Sequence, residues 1–260
     1  MLDISKLTFG YGSAEPVLEN VSFGVERGEF VCLIGPSGCG KSTLLRIVMG
    51  LAQARSGIFK LDVDRRDVGF LFQSNALLPW RTARENVALG LRARGATRQA
   101  AGVEADHWLE SVGLAGLGER YPRELSGGQC KRVSIAQVLA LKPQLLLMDE
   151  PFASLDAIVR RYITEDLLAW VESAQTTVLM VTHDLEEAAS ISDRVVMMSN
   201  GPRARVKATF DVPFGRPRDL EHVRESRGYA SLVARLWGAL SEEIHVPRRS
   251  AQPAPAALAA

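Results

Sequence analysis

The run Gly35-Pro-Ser-Gly-Cys-Gly-Lys-Ser-Thr43 constrains this chain more than any other feature. It follows the apolar segment Phe30-Val-Cys-Leu-Ile34. It opens a stretch, Lys41 to Gly50, in which Leu44, Leu45 and Val48 fall on one side of a helix. The run fits G-x-x-x-x-G-K-[ST] in its strand-then-helix setting. Gly35, Gly38 and Gly40 permit torsions that side chains forbid. The loop N–H groups can then converge on phosphate oxygens, and the helix adds the positive end of its dipole. Gly35, Pro36, Ser37, Gly38, Cys39, Gly40, Lys41, Ser42 and Thr43 therefore read as a phosphate cradle. Lys41 would reach the outer phosphates, and the Ser42 hydroxyl would ligate Mg²⁺. Because Cys39 lies inside the loop, a bulky thiol reagent is expected to block the cradle unless nucleotide already fills it.

Three further apolar runs read as buried parallel strands: Val68 to Phe72, Leu145 to Met148 and Thr177 to Thr182. Val159 to Ser173 between them has helical spacing, and such alternation argues for an α/β core. The first 27 residues, punctuated by Gly12, Gly24 and Gly28, suggest a short antiparallel region. Residues from about 76 to 140 are rich in Arg, Ala and Glu and carry helical stretches at Thr82 to Arg94 and Val103 to Val112. They read as a helical subdomain inserted in a core domain spanning 1–240. From about Ser241 the composition drifts into PRRSAQPAPAALAA, expected to be a disordered tail over 241–260.

Each strand candidate ends in a chemically useful group. Leu145-Leu-Leu-Met-Asp-Glu150 ends in adjacent carboxylates that must point in different directions. Asp149 can face a metal shell while Glu150 faces the outermost phosphate and polarises an attacking water. The alternative for this pair is a cap for the next helix. Gln73 follows the strand at 68, and His183 ends the strand at 177. Open α/β sheets place ligands at such strand ends. His107, His222 and His245 lie on helix-like or tail segments and are assigned no role. With 31 basic and 30 acidic residues the formal net charge is +1, which argues against a coat for nucleic acid. Cys32, Cys39 and Cys130 have no metal-ligand spacing and suggest a reducing compartment. No apolar run approaches the roughly 20 residues of a spanning helix, and the N-terminus does not read as a secretory signal.

Leu125-Ser-Gly-Gly-Gln129 opens another helix-like run, to Leu141. Ser126, Gly127 and Gly128 at a helix start make a second anion-binding constellation, or else an isolated helix cap. One nucleotide has no evident need of two loops. Two chains set head to tail would give each nucleotide one loop from each chain.

Over residues 1 to 240 the sequence resembles the ABC-type ATPases. GPSGCGKST looks like their Walker A motif, LSGGQ (with Ser126 to Gln129) their signature, LLLMDEP their Walker B, and VTHD their switch-histidine segment. FLFQ resembles the Q-loop, Asp156 the D-loop aspartate, and Tyr11 the aromatic residue that stacks on adenine. The resemblance implies a P-loop core with a parallel sheet, an antiparallel β-subdomain and an inserted helical subdomain. It implies ATP with Mg²⁺ held by Ser42, Gln73 and Asp149, and catalytic roles for Glu150, His183 and Gln73. It also implies a homodimer in which Ser126 to Gln129 reach the other chain's ATP. Two departures stand out: Gln137 where the family usually has Arg, which puts a structural ion pair in doubt, and Ala153-Ser154 in swapped order.

FQSNALLPWRTARENV, THDLEEAASISDRVVMMS and GRPRD further resemble the ATP-binding subunits of nitrate, sulfonate, taurine and bicarbonate importers. That implies an ATP hydrolase at the cytoplasmic face of the inner (plasma) membrane. Its partners would be two transmembrane permeases and an extracytoplasmic solute-binding protein, with no nucleic acid. The segment Leu77-Leu-Pro-Trp80 would meet the permease, or else form a buried helix-entry corner. Another solute, such as a thiamine-precursor pyrimidine, is the alternative within this class. A non-transport ABC ATPase would usually carry a second cassette or a long insertion, and a P-loop kinase would leave LSGGQ unexplained.

Overall fold

The computed structural model describes residues 1–12, 15–153 and 155–244. In chain order it runs β1 (Leu2–Phe9), β2 (Leu18–Val25), β3 (Phe30–Ile34), α1 (Lys41–Met49), β4 (Ser56–Leu61) and β5 (Val68–Leu71). Three helices follow: α2 (Ala83–Ala93), α3 (Arg98–Ser111) and α4 (Gly127–Leu139). Then come β6 (Leu145–Asp149), α5 (Ala157–Ser173), β7 (Thr177–Val181), α6 (Leu185–Ile191) and β8 (Arg194–Met198). The described chain ends with β9 (Val206–Asp211), α7 (Leu220–Glu225) and α8 (Arg227–Glu243).

The larger sheet has the order β5-β6-β7-β3-β8-β9, parallel except at the β9 edge. Its inner strands β3, β6 and β7 are almost continuously buried because alternate residues feed two cores. Phe30, Cys32 and Ile34 face one core with Leu146, Met148, Val178 and Met180; Val31 and Leu33 face the other with Leu145, Leu147, Leu179 and Val181. The second core also takes α1 and the antiparallel sheet β2-β1-β4. A third core joins α2, α3 and α4 through Val87, Ala105, Leu109, Val133 and Ala136. This α/β architecture is the expected one.

Helix starts depend on local caps. Thr82 and Glu85 form a capping box on α2. α3 begins at Arg98 rather than Val103 because the Thr97 side chain accepts from the Ala100 N–H. Asp156 likewise starts α5 at Ala157, ahead of the expected Val159. β4, β8, β9, α6, α7 and α8 were not anticipated as elements, although Leu232, Leu236 and Leu240 of α8 are buried at helical spacing. α8 continues to Glu243, so Ser241 to Glu243 are helical where a tail was expected; residues 245–260 of that expected tail lie outside the described residues. The GRPRD segment is a clasp. Arg216 and Arg218 both pair with Asp193, whose carboxylate also accepts the Phe30 N–H at 2.8 Å, tying the C-terminal part to the start of β3.

Candidate active site

Four neighbouring parallel strands, β5, β6, β7 and β3, deliver their C-terminal ends to one edge of the sheet. The cradle follows β3, Gln73 follows β5, Asp149 and Glu150 close β6, and His183 follows β7. Topology alone therefore gathers groups that lie far apart in the chain.

The cradle is built for close approach. Gly35 and Gly40 have φ of 150° and 97°. A Cβ on Gly35 would meet the Met198 carbonyl at 2.9 Å, and one on Gly40 would meet Leu18 Cδ2 at 2.8 Å. α1 starts at Gly40 with no side-chain cap and no acidic residue in its first turn. Its first N–H groups are left for an anion. Lys41 is buried, and its ammonium donates to the Gly35 and Pro36 carbonyls at 2.8 and 2.9 Å. Tyr11 stands beside the loop: its hydroxyl lies 3.2 Å from that of Thr43, and its ring is 56% exposed, packed edge-on against Phe9.

Asp149 and Glu150 diverge, as adjacent residues at a strand end should. The Ser42 hydroxyl donates to Asp149 Oδ1 at 2.8 Å. Burial raises the Asp149 carboxyl, and the Ser42 bond opposes that rise. Glu150 leaves the sheet in the left-handed region, φ 44°, a conformation that costs about 1–3 kcal/mol and clusters at functional sites. Its Oε2 receives Gln73 Nε2 at 3.2 Å and lies 3.3 Å from His183 Nδ1. One carboxylate oxygen is thus held between two predicted site residues.

Among the described residues, no group of three or more His, Cys, Asp or Glu could hold a metal. Mg²⁺ needs no such cluster, since it takes one or two protein oxygens and completes its shell with water and phosphate. The Ser42 hydroxyl, the Asp149 carboxylate and the Gln73 amide are oxygen donors of that kind.

The other predicted residues lie in local motifs. Ser126 and Gln129 close on each other as a capping box at the start of α4, with bonds of 3.2 and 2.9 Å. Gly127 and Gly128 form the first turn. Asp156 caps α5, accepting the Val159 N–H at 3.0 Å. Within one chain, no hydrogen bond among the described residues joins 126–129 or Asp156 to the cradle. Gln137 is half-buried in α4, and Ser154 lies outside the described residues. Trp80 is 70% exposed, which rules out a buried corner for its ring. The buried Asn86 side chain donates to the carbonyls of Leu78, Arg81 and Thr82 and so fixes this segment.

Cys39 corrects one expectation. It is fully buried, and burial pushes its thiol up although Lys41 is near. A bulky maleimide should therefore label Cys39 to completion only in denaturant. Rapid labelling of the native chain, read by mass spectrometry, would show that the loop opens.

Two groups escaped the sequence reading. Lys131 of α4 is fully buried and donates to the Phe72 carbonyl at 2.8 Å; burial pushes its ammonium down to about 8. Nothing in the pattern of α4 marks a charged residue as buried. Glu187 of α6 accepts from the Thr182 hydroxyl, and burial raises its carboxyl from 4.5 to about 7. Between those values the folded chain binds more proton than the unfolded chain. Stability should therefore fall as pH rises from about 4.5 through about 7, by on the order of 3 kcal/mol from this group. Glu187→Gln should flatten that slope in urea titrations across the window. An unchanged slope would assign it to other groups.

The uncapped helix start behind a glycine loop and the carboxylates at the end of β6, one strand removed, define a P-loop nucleotide hydrolase. Residues 18–153 match the ABC transporter family. The chain belongs to that family and is an ATP-hydrolysing cassette. It is 46% identical to the nitrate import ATP-binding protein NrtD of Synechococcus elongatus, covering 83% of this chain and 81% of that one. It is 43% identical to the bicarbonate transport ATP-binding protein CmpD of Synechocystis, covering 83% and 79%. With the aliphatic sulfonates import ATP-binding protein SsuB of Bacillus cereus it shares 40% identity, covering 86% and 91%. The fold matches the ATP-binding cassette MJ0796, solved as a post-hydrolysis dimer bound to ADP and Pi. That match has a TM-score of 0.73 and 33% identity, over 83% of this chain and all of the other. Among the described residues no helix is long and apolar enough to cross a membrane.

Proposed function

We propose that this chain is the ATP-hydrolysing subunit of an importer for a small anion such as nitrate, bicarbonate, taurine or another sulfonate. Two copies would work with two transmembrane permeases and an extracytoplasmic solute-binding protein, at the cytoplasmic face of the membrane. Three relatives whose names specify nitrate, bicarbonate and sulfonates support the solute class.

The observation that carries the mechanism is Glu150, held at one oxygen by Gln73 and His183 beside the cradle. Lys41 would exchange its loop carbonyls for phosphate oxygens, and the uncapped N–H groups of α1 would complete the cradle. Tyr11 would stack on the base. Ser42, Asp149 and Gln73 would hold Mg²⁺, which when bound supplies positive charge against the phosphates. Glu150 would take the proton of the attacking water, while His183 and Gln73 hold its carboxylate in place. Ser126 to Gln129 would face the ATP of the second copy, with Asp156 near the joint. ATP would thus close the dimer and hydrolysis would release it. A near-complete reversal of populations needs about 5.5 kcal/mol of differential affinity. Exposed Trp80, on its pinned segment, would meet the permease.

Uptake by vesicles carrying the chain with its membrane partners, with the solute-binding protein outside, tests the reading. Labelled nitrate, bicarbonate, taurine, alkanesulfonates and thiamine-precursor pyrimidines are offered in turn, with ATP inside. One of the anions should enter, and not with Lys41→Ala. Entry of the pyrimidine alone would reassign the solute, and entry of none would reject the small-anion class.

A further inference from the structure

The segment after β5 is held in an unusual way. Phe72 and Gln73 are exposed, and outside the sheet ladder no main-chain hydrogen bond among the described residues secures 73–76. Its ties are side chains of one helix. Lys131 Nζ reaches the Phe72 carbonyl at 2.8 Å and the Gln73 carbonyl at 3.5 Å. One turn on, the Ser134 hydroxyl donates to the Asn75 carbonyl. Residues three apart share a helix face, so α4 presents both donors to the same strap.

Lys131 is 0% exposed, and no carboxylate pairs with it among the described residues. A buried ammonium without a counter-ion is costly unless its hydrogen bonds are made. Methionine would fill the same space at less cost. The charge is therefore spent on two carbonyls next to the Gln73 side chain, which in turn holds Glu150.

We propose that Lys131, aided by Ser134, is a positioning residue for hydrolysis: it straps the main chain of 72–75 to α4, so the helix that begins at Ser126 sets where Gln73 meets Glu150. This rests on the active-site reading above. Any shift of α4 relative to the sheet is then transmitted to the Gln73–Glu150 contact through a main-chain strap.

The test uses the full chain, Mg-ATP turnover, binding of a fluorescent ATP analogue and thermal unfolding. Lys131→Met should lower kcat by about tenfold while analogue affinity stays within about twofold. Lys131→Arg, which keeps the donors, should recover most of the rate. In a Gln73→Ala background Lys131→Met should add no further loss, because the side chain it positions is gone. A merely structural lysine would instead lower the rate by the same factor in both backgrounds. That additive outcome, or full turnover in folded Lys131→Met, overturns the proposal. Should Lys131→Met fail to fold, Ser134→Ala is put through the same cycle, and the same outcomes decide. Glu150→Gln separates the two levels: if it hydrolyses ATP normally, the active-site reading falls and this proposal with it. If it is inactive while Lys131→Met is not, only the strap is wrong.

Discussion

Glu150→Gln is expected to bind ATP nearly as well as the parent chain and to hydrolyse it at least ~100-fold more slowly, the lower range for loss of a general base. The substitution keeps the size and the left-handed main chain of Glu150, so the fold has little reason to change. An amide still meets Gln73 and His183, but it cannot take a proton from water. The cradle residues are untouched, so ATP binding survives. If two copies close on ATP, the variant should persist as a dimer with Mg-ATP and separate when nucleotide is removed. Single-turnover hydrolysis and light scattering read the two effects. Undiminished hydrolysis would remove Glu150 from the chemistry, and a monomer with ATP bound would remove the paired arrangement.

Lys41→Ala should weaken ATP binding by about 10- to 100-fold, the loss of charge-assisted bonds to phosphate worth roughly 1.5–3 kcal/mol. It should also lower unfolding stability. The Gly35 and Pro36 carbonyls lose a buried donor, at a cost of about 1–3 kcal/mol unless the loop shifts to meet water. Calorimetric ATP titration and urea unfolding measure the two separately. Unchanged ATP affinity in the folded variant would mean that Lys41 serves only to close its own loop.

Much of the architecture was legible because its rules are local. Val31 and Leu33 differ from Phe30, Cys32 and Ile34 only in the face they fill, and an unbroken apolar run is what two covered faces require. Residues at the ends of such strands could be gathered by topology before any distance was known. α8 was legible in principle, since Leu232, Leu236 and Leu240 recur at helical spacing, but no motif drew attention to that stretch. Lys131 was hidden for a different reason. Its burial follows from the path of 72–75 across α4, a long-range contact that neither segment encodes alone.

The contact of Gly40 with Leu18 and Val17 has a consequence for selectivity. It packs the antiparallel sheet, with Tyr11 at its rim, against the cradle as one jaw. On the proposed reading that jaw holds the base and the inner phosphates, which hydrolysis leaves in place, and meets the outermost phosphate only through Lys41. Discrimination between substrate and product then falls to Lys41, to the groups around Glu150 and to the Ser126 to Gln129 segment of the second copy. A spent nucleotide would loosen those contacts and leave the base-holding jaw engaged.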